Sequence, residues 1–292
     1  MDRSFPFPRR AFLRSGVAAG ALIPMAAPGA VALAQAPTPG DRPDPWSGLK
    51  VGVATYSLSK LPLDAALTIL RRVGVGHVSI KDVHLPLKST AEQRRAVVAK
   101  FRAAGIVPLS CGVISLTDDP ADLRNAFEYA RDAGLPTVVA KPTRKSLPAV
   151  DALVKEFDLK LAIHNHGPED KVWPSPLDVW EAIQSFDPRI GLCIDVGHTA
   201  RCKVDPAEAI RKCSARLYDI HLKDLDSTEP NARNMEVGRG VLDIAGILRA
   251  LLDVKFAHHV GLEYEKDMND PLAGMAESIG DIRGTLAGLR RA

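Results

Sequence analysis

Four stretches in the second half of the chain decide its fold: Leu161-Ala-Ile-His-Asn-His-Gly-Pro-Glu-Asp170, Gly191-Leu-Cys-Ile-Asp-Val-Gly-His198, Leu217-Tyr-Asp-Ile-His-Leu-Lys-Asp224 and Val260-Gly-Leu-Glu-Tyr-Glu265. Each reads as a short apolar run of the kind that forms a strand buried on both faces. Each then closes on Asp, His or Glu. One or two such residues would simply mark where a strand meets solvent. Repetition over four successive strands points to side chains gathered around one divalent cation.

The same rhythm runs through the rest of the chain. Strand-like runs at Lys50–Tyr56, His77–Lys81, Val107–Cys111, Thr137–Lys141, Lys160–His164, Ile190–Asp195, Leu217–His221 and His259–Glu263 alternate with helix-period stretches such as Ala91–Ala104, Pro120–Ala133 and Asp178–Ser185. Gly74, Gly105 and Gly134 stand where helices end on a left-handed cap. Pro120 and Pro206 stand where a first helical turn tolerates proline. Eight such units with short loops predict an α/β protein, a single-domain (β/α)8 barrel over residues 49–292. A doubly wound open sheet would need fewer strands and a Gly-rich first turn, which the sequence lacks.

Residues 1–34 are set apart from the fold. Pro8-Arg9-Arg10-Ala11-Phe12-Leu13-Arg14 carries the twin-arginine export pattern, and an Ala- and Gly-rich stretch follows it. That stretch is short for a membrane-spanning helix and contains Pro24 and Pro28. Ala32-Leu33-Ala34 supplies a small-x-small cleavage site. Residues 35–48, rich in Pro, Gly and Asp, read as a linker. The expectation is a protein carried folded by the twin-arginine export machinery to the periplasm or beyond. Phosphorylated metabolites are scarce there, and no G-x-x-x-x-G-K-S/T loop is present, so an unphosphorylated substrate is expected.

The formal net charge of +3 owes part of its value to the leader's arginines, and the aromatic content is 5%. A near-neutral domain with few aromatics argues against a nucleic-acid partner. The four cysteines, Cys111, Cys193, Cys202 and Cys213, form no C-x-x-C pair. Cys193 reads as a packed thiol two residues before Asp195.

A barrel of this type places its active site at the C-terminal strand ends. Those ends carry Thr55 and Ser57, Lys81 and His84, Ser110, Lys141, His164 and His166, Asp195 and His198, His221 and Lys223, and Glu263 and Glu265. His164 and His166 share one strand face by the two-residue period. Lys81 and Lys141 are candidate substrate contacts. The polar, irregular stretch Asp226–Arg239 reads as an active-site loop with Arg239 or Glu236 directed inward.

Cys193-Ile-Asp-Val-Gly-His198, His221-Leu-Lys-Asp224 and Leu262-Glu-Tyr-Glu265 resemble the metal-site segments of the xylose-isomerase-like TIM-barrel superfamily, which includes AP endonuclease family 2-like proteins. The resemblance runs from about Leu49 to the C-terminus and implies a group of sugar isomerases and epimerases, inosose dehydratases and endonuclease-IV-type enzymes. It implies that Asp195, His221 and Glu263 ligate a divalent cation: manganese, cobalt, magnesium or zinc. Mixed carboxylate and imidazole ligation suits all of these except magnesium, which prefers oxygen. The family's fourth ligand is a Glu at the end of the fifth strand. Here that position is His164, and Glu169 in the loop beyond competes for the role, ranked above His164, with His166 third.

A cation held in this way polarises a sugar carbonyl and acidifies the adjacent C–H, which a general base can then deprotonate. Glu169, if it is not a ligand, or His166 is the candidate base. His198 is expected to bind a substrate hydroxyl or assist proton transfer. Lys223 either holds an oxyanion or pairs with Asp224. The expected function is an exported, metal-dependent isomerase or epimerase acting on a free sugar or polyol. A lyase acting on a keto-sugar or 3-keto-glycoside and a non-catalytic sugar-binding barrel are the alternatives. A nuclease is disfavoured by the absence of a basic stripe. A small-molecule carbohydrate is the expected partner, and a homo-oligomer is compatible with the fold.

Overall fold

The computed structural model of the protein describes residues 44–291. The twin-arginine leader and residues 35–43 of the linker lie outside the described residues. Seven strands come first: β1 (Lys50–Ala54), β2 (His77–Ile80), β3 (Val107–Ser115), β4 (Thr137–Lys141), β5 (Lys160–His164), β6 (Ile190–Asp195) and β7 (Leu217–Leu222). A short antiparallel pair, β8 (Asp224–Leu225) with β9 (Asn234–Met235), precedes β10 (His259–Leu262). The eight longer strands close into the expected barrel in the order β1-β10-β7-β6-β5-β4-β3-β2, with every neighbouring pair parallel.

The helices are α1 (Leu63–Val73), α2 (Ala91–Ala103), α3 (Pro120–Ala133), α4 (Leu147–Phe157), α5 (Pro176–Ile183), α6 (Val196–Arg201), α7 (Pro206–Cys213), α8 (Ile244–Asp253) and α9 (Leu272–Leu289). Their limits follow from local chemistry. In α1 the buried residues Ala66, Leu67, Leu70 and Val73 recur at helical spacing, and left-handed Gly74 stops the helix. In α2 Thr90 and Gln93 form a reciprocal capping box. In α3 Asp119 caps a helix that starts at Pro120 and ends at left-handed Gly134.

Two sequence expectations need correction. The third strand does not stop at Cys111 but runs to Ser115. It continues through Gly112, whose φ is +133° and whose backbone lies where a Cβ would sit 2.1 Å from the carbonyl oxygen of Val139. Only glycine suits that position, and the register shift there carries the strand onward. Ser110 is therefore not at the mouth of the barrel.

Ser110 lies inside the barrel, where its hydroxyl donates to Asp219 Oδ2 at 2.5 Å. His259 Nδ1 is 3.1 Å from the other oxygen of the same carboxylate. The imidazole fits there because Gly52 has no side chain; a Cβ at Gly52 would lie 2.7 Å from His259 Nε2. Hydrogen bonding on both oxygens makes burial of Asp219 tolerable. Val139, Ala162 and Cys193 form a small apolar cluster on the inward faces of three strands. The main apolar core lies between the strands and the surrounding helices.

Candidate active site and metal centre

At the C-terminal ends of β5, β6, β7 and β10, four buried side chains converge. Donor atoms of His164, Asp195, His221 and Glu263 all lie within 4.8 Å of one another. His164 Nε2 is 3.0 Å from His221 Nδ1 and 3.5 Å from Asp195 Oδ2. His221 Nδ1 is 3.2 Å from Glu263 Oε2. The backbone ends hold them in place. Asn165 Oδ1 accepts from the Asp195 N–H at 3.0 Å, and Asn165 Nδ2 donates to Thr199 Oγ1 at 3.2 Å. Asp195 Oδ1 in turn accepts from the His198 N–H at 2.8 Å and caps α6.

Lys223 enters this cluster from β7's end. Its buried Nζ lies 3.1 Å from Asp195 Oδ2, 2.8 Å from Glu263 Oε2 and 2.6 Å from Glu265 Oε1. The expected alternative partner, Asp224, is engaged elsewhere. With both imidazoles neutral, three carboxylates against one ammonium leave a formal charge of −2, which one divalent cation would neutralise. The donor set fits such a cation on a second ground. Asp195 Oδ2 is buried and, its ionic contact with Lys223 apart, has no hydrogen-bond partner among the described residues, a cost that coordination would relieve.

The electrostatics agree. Burial opposes ionisation of Asp195, yet His198, Lys223 and His164 hold its carboxyl well below the ordinary range. Burial likewise opposes charge on Glu263, and His221 and Lys223 override it downward. Burial pulls His164 down to about 3, so it is neutral and able to ligate. Burial would also depress His221, but Cys193 and the Glu263 carboxylate outweigh it and hold its pKa well above the imidazole value. A cation bound here is therefore expected to displace the His221 proton near neutral pH. Affinity is expected to rise with pH across that raised pKa, and calorimetry in buffers of different ionisation enthalpy should register about one proton released per cation bound. Binding heats independent of the buffer would contradict this.

The mouth opens into a cavity of about 270 Å³ lined by Tyr56, Lys81, Ser115, His166, His198 and Glu265 together with His164 and Glu263. That is near the low end of the roughly 300–1,000 Å³ typical of ligand pockets, a size for a small substrate. An adjoining hollow of about 450 Å³ shares His198 and Glu265 and adds Lys223, Arg201 and Lys266. Burial, with Lys141 as a further cause, lowers His166, and burial with Lys223 lowers His198; both favour neutral rings at pH 7.

Several expected residues lie elsewhere. Glu169, ranked first from sequence as fourth ligand, is not in the cluster. Its carboxylate is 55% exposed and pairs with Arg201, leaving His164 in the fourth position. Lys81 does line the cavity and donates to the Val113 carbonyl at 2.8 Å. Lys141 pairs with the buried Asp170 carboxylate beside His166. Arg239 points outward to Glu277 because the loop turns back onto α9, whereas Glu236 is buried against Lys266 and Tyr264. His84 is buried away from the mouth against the Leu61 carbonyl. Tyr56 and Glu265 are site residues that the sequence did not single out for a role, although Tyr56 ends one strand-like run and Glu265 stands two residues beyond another.

Residues 67–284 match the family model described as xylose isomerase-like TIM barrel. The chain belongs to that family. No curated protein matches the sequence. Solved structures of xylose isomerase-like fold resemble it along most of its length. An uncharacterized protein from Parabacteroides distasonis is 25% identical with a TM-score of 0.62, covering 84% of this chain and 99% of that one. L-ribulose 3-epimerase is 17% identical with a TM-score of 0.69, over 83% of this chain and 96% of its own. The 3-keto-D-glucoside 4-epimerase from E. coli is 14% identical with a TM-score of 0.64, over 84% and 100% respectively. At these identities the two epimerases show a shared fold.

Proposed function

We propose that this member of the xylose isomerase-like family is a divalent-cation-dependent isomerase or epimerase acting on an unphosphorylated sugar or polyol, by removing a proton α to its carbonyl. The observation that carries the proposal is the convergence of His164, Asp195, His221 and Glu263 at the wall of a small polar cavity. The names of the fold neighbours as sugar epimerases support it. Two imidazoles and two carboxylates suit manganese, cobalt or zinc better than magnesium. A cation held there supplies Lewis-acid polarisation of the substrate carbonyl.

The chain's own residues carry the remaining steps. His166, neutral at the cavity wall, is the candidate base. Lys223, held charged among three carboxylates, is placed to stabilise negative charge on a substrate oxygen. Tyr56 presents a partly exposed ring to the cavity, a surface for the C–H face of a sugar. The adjoining hollow favours a second reading, a lyase acting on a 3-keto-glycoside, because it offers room beside His198 for a leaving group. We further propose export by the twin-arginine route, on Arg9 and Arg10. Cell fractionation of a variant with both arginines changed to lysine tests it: retention in the cytoplasm is expected, and unchanged export would reject it.

Proton NMR in deuterated water tests the chemistry. The zinc-loaded protein is incubated with free aldoses, ketoses, inososes and 3-keto-glycosides. Deuterium is expected to enter the carbon α to the carbonyl of a panel member, and chelation is expected to abolish it. The product then separates isomerase from lyase. Absence of exchange across the panel with cation bound would reject the reading.

A further inference from the structure

The sequence shows no basic stripe, yet the fold assembles a basic face. In a β/α barrel each helix ends on the side opposite the mouth, where the next strand begins. Helices α7, α8, α9 and α1 pack side by side around one half of that floor. Their ends, and the start of β1 beside them, carry Lys212, Lys255, Arg290, Arg71, Arg72 and Lys50, all exposed. No salt bridge joins any of the six to an acid among the described residues. Two acids stand among them, and both are engaged. Asp253 pairs with Arg211 at 3.3 Å. Asp44 accepts from the N–H groups of Trp46 at 3.1 Å and Gly48 at 2.6 Å. A cation in a last helical turn complements the helix dipole, which accounts for Arg71, Arg72 and Lys212. It does not account for Lys50 and Lys255, which lie outside the helices.

The opposite end is acidic, since Asp119, Asp205 and Asp243 cap helices at the mouth. The chain's 38 basic and 35 acidic residues include five and two before Asp44, so the barrel itself carries 33 of each. Its neutrality therefore hides a separation of charge between floor and mouth. We propose that the floor is a docking surface for an anionic lipid bilayer, on which the barrel stands with its mouth facing away. None of the six cations lines the cavity, so a docked barrel keeps its mouth open.

Two observations favour a bilayer over an acidic polymer. The cations are spread across the ends of four helices and a strand, a broad patch and not a track for one backbone. The polypeptide also enters the barrel at this face: Asp44 leads into β1, and Arg290 donates to the Asp44 carbonyl at 2.6 Å. The Ala- and Gly-rich stretch from Gly16 to Leu33 is thus joined to the barrel through this side. A nucleic acid would also want aromatic platforms, and Trp46 is covered by the Arg283 guanidinium, 4.9 Å from its ring. Attraction to anionic lipid amounts to roughly fivefold in affinity for each cation near the surface and is screened by salt. The docking surface stands apart from the catalytic reading; only its use in the cell rests on the proposed export.

Flotation of the full chain with lipid vesicles tests it. The unaltered protein is expected to bind vesicles of phosphatidylcholine mixed with phosphatidylglycerol more tightly than phosphatidylcholine alone, and to lose the difference at high salt. Two triple variants of equal net charge locate the surface. Arg71→Glu with Lys212→Glu and Lys255→Glu, on the floor, is expected to weaken binding to the anionic vesicles at least about tenfold. Lys60→Glu with Arg95→Glu and Lys171→Glu, carried toward the mouth, is expected to keep it. The leader is present in all three proteins, so its own affinity cancels. Thermal melts check folding, and Lys255→Glu alone carries the comparison if the floor triple unfolds. Equal losses in the two variants, or no preference for anionic vesicles, would overturn the proposal. Binding of a DNA duplex in place of the vesicles would give the face to nucleic acid and overturn it equally.

Discussion

Asp195→Ala is expected to strip the protein of divalent cation and to lower its stability by about 3–5 kcal/mol, the usual cost of breaking a buried ion pair from one side. Asp195 is fully buried, and its two oxygens do different work. Oδ1 accepts from the His198 N–H and starts α6, whereas Oδ2 faces His164 and Lys223 in the donor cluster. Alanine removes both, and it leaves the Lys223 ammonium in a dry site with one fewer counter-charge. Asp195→Asn separates the effects. The amide oxygen still caps α6, so the stability loss should shrink, yet the lost charge should still abolish cation binding. Elemental analysis beside a thermal melt distinguishes them. Full occupancy with a wild-type melt in Asp195→Ala would remove this residue from the centre.

The second large effect is expected at Asp224→Ala, outside the donor cluster but next to Lys223 in sequence. Asp224 Oδ1 accepts from the N–H groups of Leu225 at 2.9 Å and Leu242 at 3.1 Å. Oδ2 accepts from those of Gly238 at 3.0 Å and Gly240 at 2.9 Å. One buried carboxylate therefore anchors both ends of the loop after β7. Deleting it leaves four backbone donors without their partner. At about 1–3 kcal/mol for each unmet donor, and with water recovering some of them, the expected loss is roughly 3–5 kcal/mol. The same loop carries Asn234, which donates to the Glu263 carbonyl and accepts from the Glu265 N–H. Loosening it should therefore also weaken cation binding. Hydrogen exchange checks the claim through the amides of Gly238 and Gly240, whose protection should collapse; retained protection would contradict it.

The barrel was legible because its buried strands are apolar runs punctuated by glycine, proline and capping residues. Sequence period also placed His164, Asp195, His221 and Glu263 on strand ends, where the structure brings them together. What escaped reading depends on contacts between distant segments. Glu169 is drawn out of the cluster by Arg201, 32 positions away, and Arg239 is turned outward by Glu277, 38 positions away. No local pattern announces either pair. The third strand outruns the apolar stretch that ends at Cys111 because Gly112 lets the chain pass close to Val139, a contact between segments that no local pattern announces. Lys223 reads as a neighbour of Asp224, but alternation along the strand sends consecutive side chains to different sides. One joins the cation cluster and the other ties down the loop.

The most direct test of the central claim is the cation content of three proteins prepared side by side: the unaltered chain, His164→Ala and Glu169→Ala. The account predicts one tightly bound divalent cation in the first and third and its loss from the second, because His164 closes the donor set and Glu169 stands outside it. Retention in His164→Ala with loss in Glu169→Ala would contradict it and return the fourth position to the loop carboxylate.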